Sequence, residues 1–317
     1  MKFNMKNLYQ ILKEAEKKKI AVGHFNVAET SVLKAIFEVA KDFGVPVIIG
    51  TSEGEAGFLG RKQAVALVKS LRNEYKFPIF LNSDHTKSFD EVKKAVAAGY
   101  DAVLFDGGTL PFAENIRQTK RVVKYVKSKN SKILVEGELG NIGSGSMIRK
   151  ELPKGAAIKP EDLTKPEDAA RFVKETGVDM LAPAVGNIHG MLVPHPSSPG
   201  AKRLDLIKRD LKGEGFVTAG YDYPLDIDRI RAIKKAVKIP LVLHGGSGNT
   251  NSDFLAAIDA GVTIIHISTE LRLAWRKGLE RGLKENPEEI APYKVLFSAV
   301  EAVREVVNKK LKLFNKH

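Results

Sequence analysis

The 317-residue chain contains no cysteine. That excludes disulfide staples and any thiolate metal site, so a metal bound here would need imidazole or carboxylate ligands. Aromatic residues are scarce at 7%, and they show no basic–aromatic pattern of the kind that stacks nucleobases. Long apolar runs are missing as well; none reaches the roughly 20 residues that span a bilayer. The lysine-rich opening, "MKFNMKNLYQILKEAEKKKI", reads as an amphipathic surface helix and not as a secretory leader. Negative charge is in deficit: 51 Lys and Arg stand against 38 Asp and Glu, a formal net charge of +13. The two signs are interspersed, so the excess reads as solvated helix faces whose field draws in small anions. Neither a nucleic-acid nor a membrane partner is expected, and a cytoplasmic location is.

Hydrophobic residues make up 43%, enough for a substantial core. They fall in eight short runs rich in Val and Ile: "IAVGHFNV", "VPVIIGTS", "PIFLNSDH", "DAVLFDGG", "KILVEGELG", "MLAPAVGN", "PLVLHGGSG" and "TIIHIST". Such runs fit parallel strands buried on both faces. Helical patterns such as "SVLKAIFEVAKDFG" lie between most of them. Eight strands with intervening helices predict one closed (β/α)8 TIM barrel over residues 1–317. An open doubly wound sheet is the competing reading, but the first turn lacks a glycine-rich dinucleotide fingerprint. Two stretches break the rhythm: a loop at 141–165 after the fifth strand and an insertion at 191–224 after the sixth. Both follow strand C-termini, the face where barrel active sites are built.

Of seven histidines, four sit at or just past strand ends: His85, His189, His244 and His266. Imidazoles from different strands can converge at a barrel mouth and hold a divalent ion with an open coordination position. Asp84, Asp106 and Glu138 come from the same ends as candidate proton-transfer groups, further ligands or supports of the ligands. "HGGSG" at His244–Gly248 lets backbone amides approach an anion, and "HISTE" at His266–Glu270 opens a helix whose N-terminus favours one. The loops after the last two strands of such barrels recurrently bind phosphate.

The stretches "SDHTKSFDEVKKAVAAGYDAVLFDGG", "VEGELG", "HFNVAE", "TSEG", "STELRLAW" and "LVLHGGSG", with His189–Gly190, resemble the metal-dependent class II fructose-bisphosphate aldolases, a group that includes tagatose-bisphosphate aldolases. The resemblance runs in order along nearly the whole chain. It implies a zinc-like divalent ion on His85, His189 and His244, with Glu138 and Asp106 as alternate ligands or their supports. Asp84 would then move the proton of the substrate's C4 hydroxyl. Gly190, Gly245 and Ser247 would cradle the dihydroxyacetone-phosphate end, with Thr269 near the same phosphate; Ser268 can still donate to it, and His266 either contacts substrate or packs. Asn26 and Ser52 would contact substrate, and Arg272 would grip the second phosphate. A monovalent cation, Na+ or K+, and a homodimer or homotetramer belong to the same expectation. So does fructose 1,6-bisphosphate as substrate, in glycolysis and gluconeogenesis; tagatose bisphosphate, or a different barrel chemistry such as metal-dependent hydrolysis, are the alternatives. The chain departs from the family at "NIGSGSM", where loop acids are usual, so the base for dihydroxyacetone phosphate is not assigned and Glu151 is a candidate substitute. It departs again at Met191–Val193, where a lysine is usual, and at His266–Thr269, in place of Asn-x-Asp-Thr.

Overall fold

The computed structural model describes residues 5–143, 145–149, 155–157, 159–192 and 225–316. Most of the expected insertion at 191–224, and Glu151 with it, lies outside these residues. Helix α1 (Leu8–Lys18) leads into β1 (Val22–Asn26), α2 (Thr30–Phe43), β2 (Val47–Thr51), α3 (Glu53–Leu59) and α4 (Arg61–Tyr75). Then come β3 (Ile79–Thr86), α5 (Phe89–Ala98), β4 (Ala102–Phe105), α6 (Phe112–Lys129) and β5 (Leu134–Leu139). The second half holds α7 (Pro166–Thr176), β6 (Met180–Pro183), α8 (Ile227–Val237), β7 (Leu241–Leu243), α9 (Asn251–Ala260) and β8 (Val262–Ile267). It ends with α10 (Thr269–Glu285), α11 (Pro292–Val295) and α12 (Phe297–Phe314). The eight strands pair in parallel in sequence order, and β8 returns to β1 to close the barrel. The eight strands are those expected from the sequence. Outside the barrel, Ile148–Arg149 pairs with Met191–Leu192.

Strand periodicity divides the interior into a dry end and a wet end. Val22, Ile48, Phe80, Ala102, Leu134, Met180, Val242 and Ile264 share one apolar cluster with Leu8, Ile11, Leu12 and Ala15 of α1, which plugs the N-terminal end of the barrel. Two residues further along five of these strands stand His24, Asn82, Glu136, His244 and His266, all buried. Because side chains alternate across a strand, these five point into the same interior, nearer the C-terminal mouth. The outer faces of the strands pack on the surrounding helices in a second, larger apolar cluster. The polar interior is thus held by apolar packing both below and around it.

Candidate metal centre and active site

Asp84 and His85 are consecutive, and consecutive strand residues ordinarily face opposite ways. The structure resolves this with a β-bulge. Against β4, Ser83 pairs with Val103 but Thr86 pairs with Phe105, so β3 carries one extra residue. His85 adopts the left-handed region, with φ of 49°. A non-glycine residue held there costs about 1–3 kcal/mol and persists where surrounding contacts over-determine it. Here the bulge brings both side chains to the barrel mouth.

Each of three histidines is anchored through one ring nitrogen. His85 Nδ1 donates to Asp106 Oδ2 (3.0 Å), His244 Nε2 to Glu136 Oε1 (2.7 Å) and His189 Nδ1 to the Gly143 carbonyl (2.9 Å). The anchored nitrogen carries the proton, so the other nitrogen offers a lone pair. Ligand atoms of all three lie within 4.8 Å of one another, and His85 Nε2 faces His244 Nδ1 at 3.1 Å. Two nitrogens at about 2.0–2.1 Å from a tetrahedral ion stand roughly 3.3 Å apart, so the spacing suits a shared cation.

The surrounding charge fits the same ion. Glu138 Oε2 lies 3.7 Å from both His85 Nδ1 and His244 Nδ1 and has no hydrogen-bond partner among the described residues. Burial, then Asp106, pushes the Glu138 carboxyl well above its ordinary range. Burial raises Glu136 to about 8. Burial works against ionisation of Asp84 too, but His85, His266 and His24 outweigh it and hold this carboxyl well below the usual range. Burial, then His85, pushes His189 and His244 each down to about 3, so both are neutral at physiological pH, as ligation requires. Burial opposes a proton on His85, yet Asp84, Asp106 and Glu138 lift that imidazole to about 10, so His85 offers its Nε2 lone pair only as a cation displaces the second proton. This is a buried box of carboxylates short of positive charge, and a divalent cation would relieve it.

Asp84 sits beside the centre. Its Oδ2 accepts from Asn26 Nδ2 at 2.9 Å, and its Oδ1 lies 3.4 Å from His266 Nδ1 without a well-aligned hydrogen bond. His266 is sandwiched between His244 and His24, with ring centroids at 4.1 and 3.5 Å. Asn82 donates to His24 Nε2 at 3.1 Å from β3, two strands away. His24, whose imidazole burial pushes down to about 4, therefore serves as the inner floor of the site.

Two connected spaces open over these groups. A recess of about 30 Å³ is lined by Gly190, Gly245, Ser247, Ser268 and Thr269, with His266 and Asp84 on its inner side. Gly245 has φ of 58°, and a Cβ there would stand 2.1 Å from the Ile188 carbonyl oxygen; only glycine fits. Ser247 Oγ accepts from the backbone N–H groups of Ser268 and Glu270, tying the two loops at the N-terminus of α10. Ser268 Oγ is sequestered from solvent with no partner among the described residues. A larger cleft of about 500 Å³ continues outward past Asn26, Ser52, Asp106 and His189 to Arg272.

All the described residues singled out from the sequence therefore border one connected site, except that Glu138 and His244 lie behind it; Glu151 lies outside the described residues. Arg272 is present but engaged: its two terminal nitrogens donate to Glu55 Oε1 (2.6 Å) and to the Ser146 carbonyl (3.0 Å). Sequence reasoning missed Glu136, His24, Asn82 and Glu55. The first three stand two residues from apolar interior positions, so strand alternation carried the signal. Glu55 lies in a helix, and its contacts form only across the fold.

Comparison with known proteins agrees with this geometry. The family described as Fructose-bisphosphate aldolase class-II matches residues 6–220 and 212–317. Among solved structures, the YdjI aldolase from Escherichia coli K12 is 26% identical, with a TM-score of 0.74 over 98% of this chain and 97% of that one. A putative fructose-1,6-biphosphate aldolase from Coccidioides immitis is 23% identical, with a TM-score of 0.75 over 99% and 97%. Fructose-bisphosphate aldolase from Campylobacter jejuni is 21% identical, with a TM-score of 0.75 over 97% and 94%. At those last two identities the likeness speaks for the barrel alone. The family match, which extends from residue 6 to residue 317, makes this chain a member of the class II fructose-bisphosphate aldolase family.

Proposed function

We propose that the protein catalyses reversible aldol cleavage of a ketose phosphate to dihydroxyacetone phosphate and an aldehyde. A divalent ion, zinc by preference, would be held on His85, His189 and His244. The observation that carries this reading is the triad of imidazoles, each fixed through its outer nitrogen with its inner nitrogen turned toward the others, beside Asp84. When bound, the ion supplies a Lewis acid where negative charge collects on the substrate oxygens as the carbon–carbon bond breaks. Asp84, kept ionised by the histidines around it and oriented by Asn26, accepts the proton of the hydroxyl at the bond to be broken and returns it in the condensation direction. Asp106 and Glu136 hold two ligand rings in place, and Glu138 offers an alternate oxygen ligand. The near phosphate belongs in the recess of Gly190, Gly245, Ser247, Ser268 and Thr269, against backbone N–H groups and the start of α10.

Fructose 1,6-bisphosphate is the reference substrate that family membership suggests, with tagatose bisphosphate behind it; cleavage of the former would place the reaction in glycolysis and gluconeogenesis. A sodium or potassium ion beside the near phosphate, and assembly as a homodimer or homotetramer, complete the reading. Exposed Ile290, Tyr293 and Phe297 support assembly, because large apolar side chains gathered in a short segment favour burial against a partner.

The test is a coupled assay of purified protein with each bisphosphate, before and after chelation, together with solvent-deuterium exchange into dihydroxyacetone phosphate alone. Chelation should abolish both activities, and added zinc should restore them. Full activity in metal-stripped protein, or a borohydride-trapped lysine adduct, would overturn the reading.

A further inference from the structure

The far end of the cleft is where the substrate's aldehyde-derived half must lie, because the near phosphate recess and the metal ligands occupy the other end. Glu55 stands there, 7% exposed. Its Oε2 accepts from Asn26 Nδ2 (2.9 Å), Ser52 N (2.8 Å) and Ser52 Oγ (2.9 Å). Its Oε1 accepts from Arg272 at 2.6 Å. Helix capping accounts for the bonds to Ser52, since Ser52 and Glu55 form a capping box at the start of α3. It does not account for the contact to Arg272, 217 residues away.

That contact changes what the cleft can accept. Arg272 is the cation expected to receive a second phosphate, yet its charge is matched by a buried carboxylate and both its terminal nitrogens already donate. A phosphate placed on this guanidinium would have to share it with Glu55, and its double negative charge would lie beside a buried carboxylate. Lys87 lines the same cleft, but Glu53 lines it as well. Among the described residues, the far wall therefore carries two acids, Glu53 and Glu55, against two bases, Lys87 and Arg272. Among the described residues, no surplus of positive charge awaits a dianion there. Hydroxyl groups suit such a wall better, because they can accept from the guanidinium and donate to carboxylates.

We infer that Glu55 is a specificity-determining residue that tunes the far subsite for an uncharged, hydroxylated aldehyde, so the preferred ketose carries one phosphate and not two. The inference rests on the aldolase reading above and narrows its substrate class.

The experiment compares aldol condensation of dihydroxyacetone phosphate with glyceraldehyde and with glyceraldehyde 3-phosphate, on the zinc-loaded full-length enzyme. These acceptors differ only in the far phosphate, and the comparison does not depend on product stereochemistry. The wild-type enzyme should show the higher kcat/KM for glyceraldehyde. Glu55→Gln, which keeps a residue suited to the capping box, should shift the ratio toward the phosphorylated aldehyde by about tenfold or more, the scale of one charged contact. A wild-type preference for glyceraldehyde 3-phosphate, or a ratio unchanged in Glu55→Gln, overturns the inference. Deuterium exchange into dihydroxyacetone phosphate separates the two levels. Exchange without condensation to either acceptor refutes the inference and leaves the aldolase reading standing. Absence of exchange removes that reading and the inference together.

Discussion

At the scale of single residues, the site depends on one irregularity of backbone. The bulge at Ser83–Thr86 lets His85 reach the metal position while Asp84 keeps its place on the alternating inner face. Asp84 is then within reach of Asn26 and His266, with His85 Nε2 3.9 Å away. Asp84→Ala should retain metal and lose cleavage by roughly a hundredfold or more, the scale of general acid–base catalysis. Metal analysis beside kinetics checks it; metal lost in step with activity would make Asp84 a ligand or its support. Asp106→Ala removes the acceptor of His85 Nδ1 and should weaken metal affinity by about 10–100-fold, read by competition with a chromogenic chelator. An unaltered affinity would mean that His85 needs no anchor. The pair "DH" could be read as acid and ligand from the sequence, but the bulge could not. Its φ and its extra residue exist only against β4.

At the scale of elements, β5 and the last helices show how distant segments complete the site. In "LVEGEL" the interior face takes Glu136 and Glu138 by simple alternation, and the structure uses the first to fix His244. That residue was legible in principle, because a buried acid two positions from another on a strand needs a partner. The link between α12 and the phosphate recess was not legible. Lys310, buried on α12, pairs with Glu270 at 2.9 Å, and Glu270 in turn accepts from the Gly248 N–H. Lys310→Met should leave Glu270 buried without its counter-charge and cost roughly 3–5 kcal/mol. Denaturant unfolding measures that loss, and the KM for the phosphorylated substrate should rise with it. At the opposite end, Leu12 of α1 is fully buried in the plug. Leu12→Ala should cost about 2–5 kcal/mol with metal affinity in the folded enzyme unchanged, since the plug touches only the dry layer of the interior.

At the scale of the whole molecule, a cation would act as a staple between β3, the turn after β7 and the segment after β6, which carry His85, His244 and His189. Anything that binds only the folded chain stabilises it by mass action, about 2.7 kcal/mol at a hundredfold excess over Kd. Chelation should therefore lower Tm, and His189→Ala should abolish most of that metal-dependent increment. An identical Tm with and without chelator would place the ion off the triad. Among the described residues no helix is long and apolar enough to cross a membrane, as the lack of long apolar runs predicts. Continuous apolar strands alternating with polar helices were sufficient to specify eight parallel strands, because a parallel strand must be buried on both faces and its connection must cross back over the sheet. The same rule places His85, His189, His244, Asp84 and the glycine loops at one mouth. Tertiary structure alone decided which nitrogen of each histidine is free, since that depends on what the other nitrogen meets: a carboxylate from β5, the Asp106 side chain, a carbonyl at Gly143. It also decided that Arg272 faces Glu55. Those partners come from strands and loops tens to hundreds of residues away, and neither the spacing nor the chemistry of the local sequence encodes where the closure of a barrel will bring them.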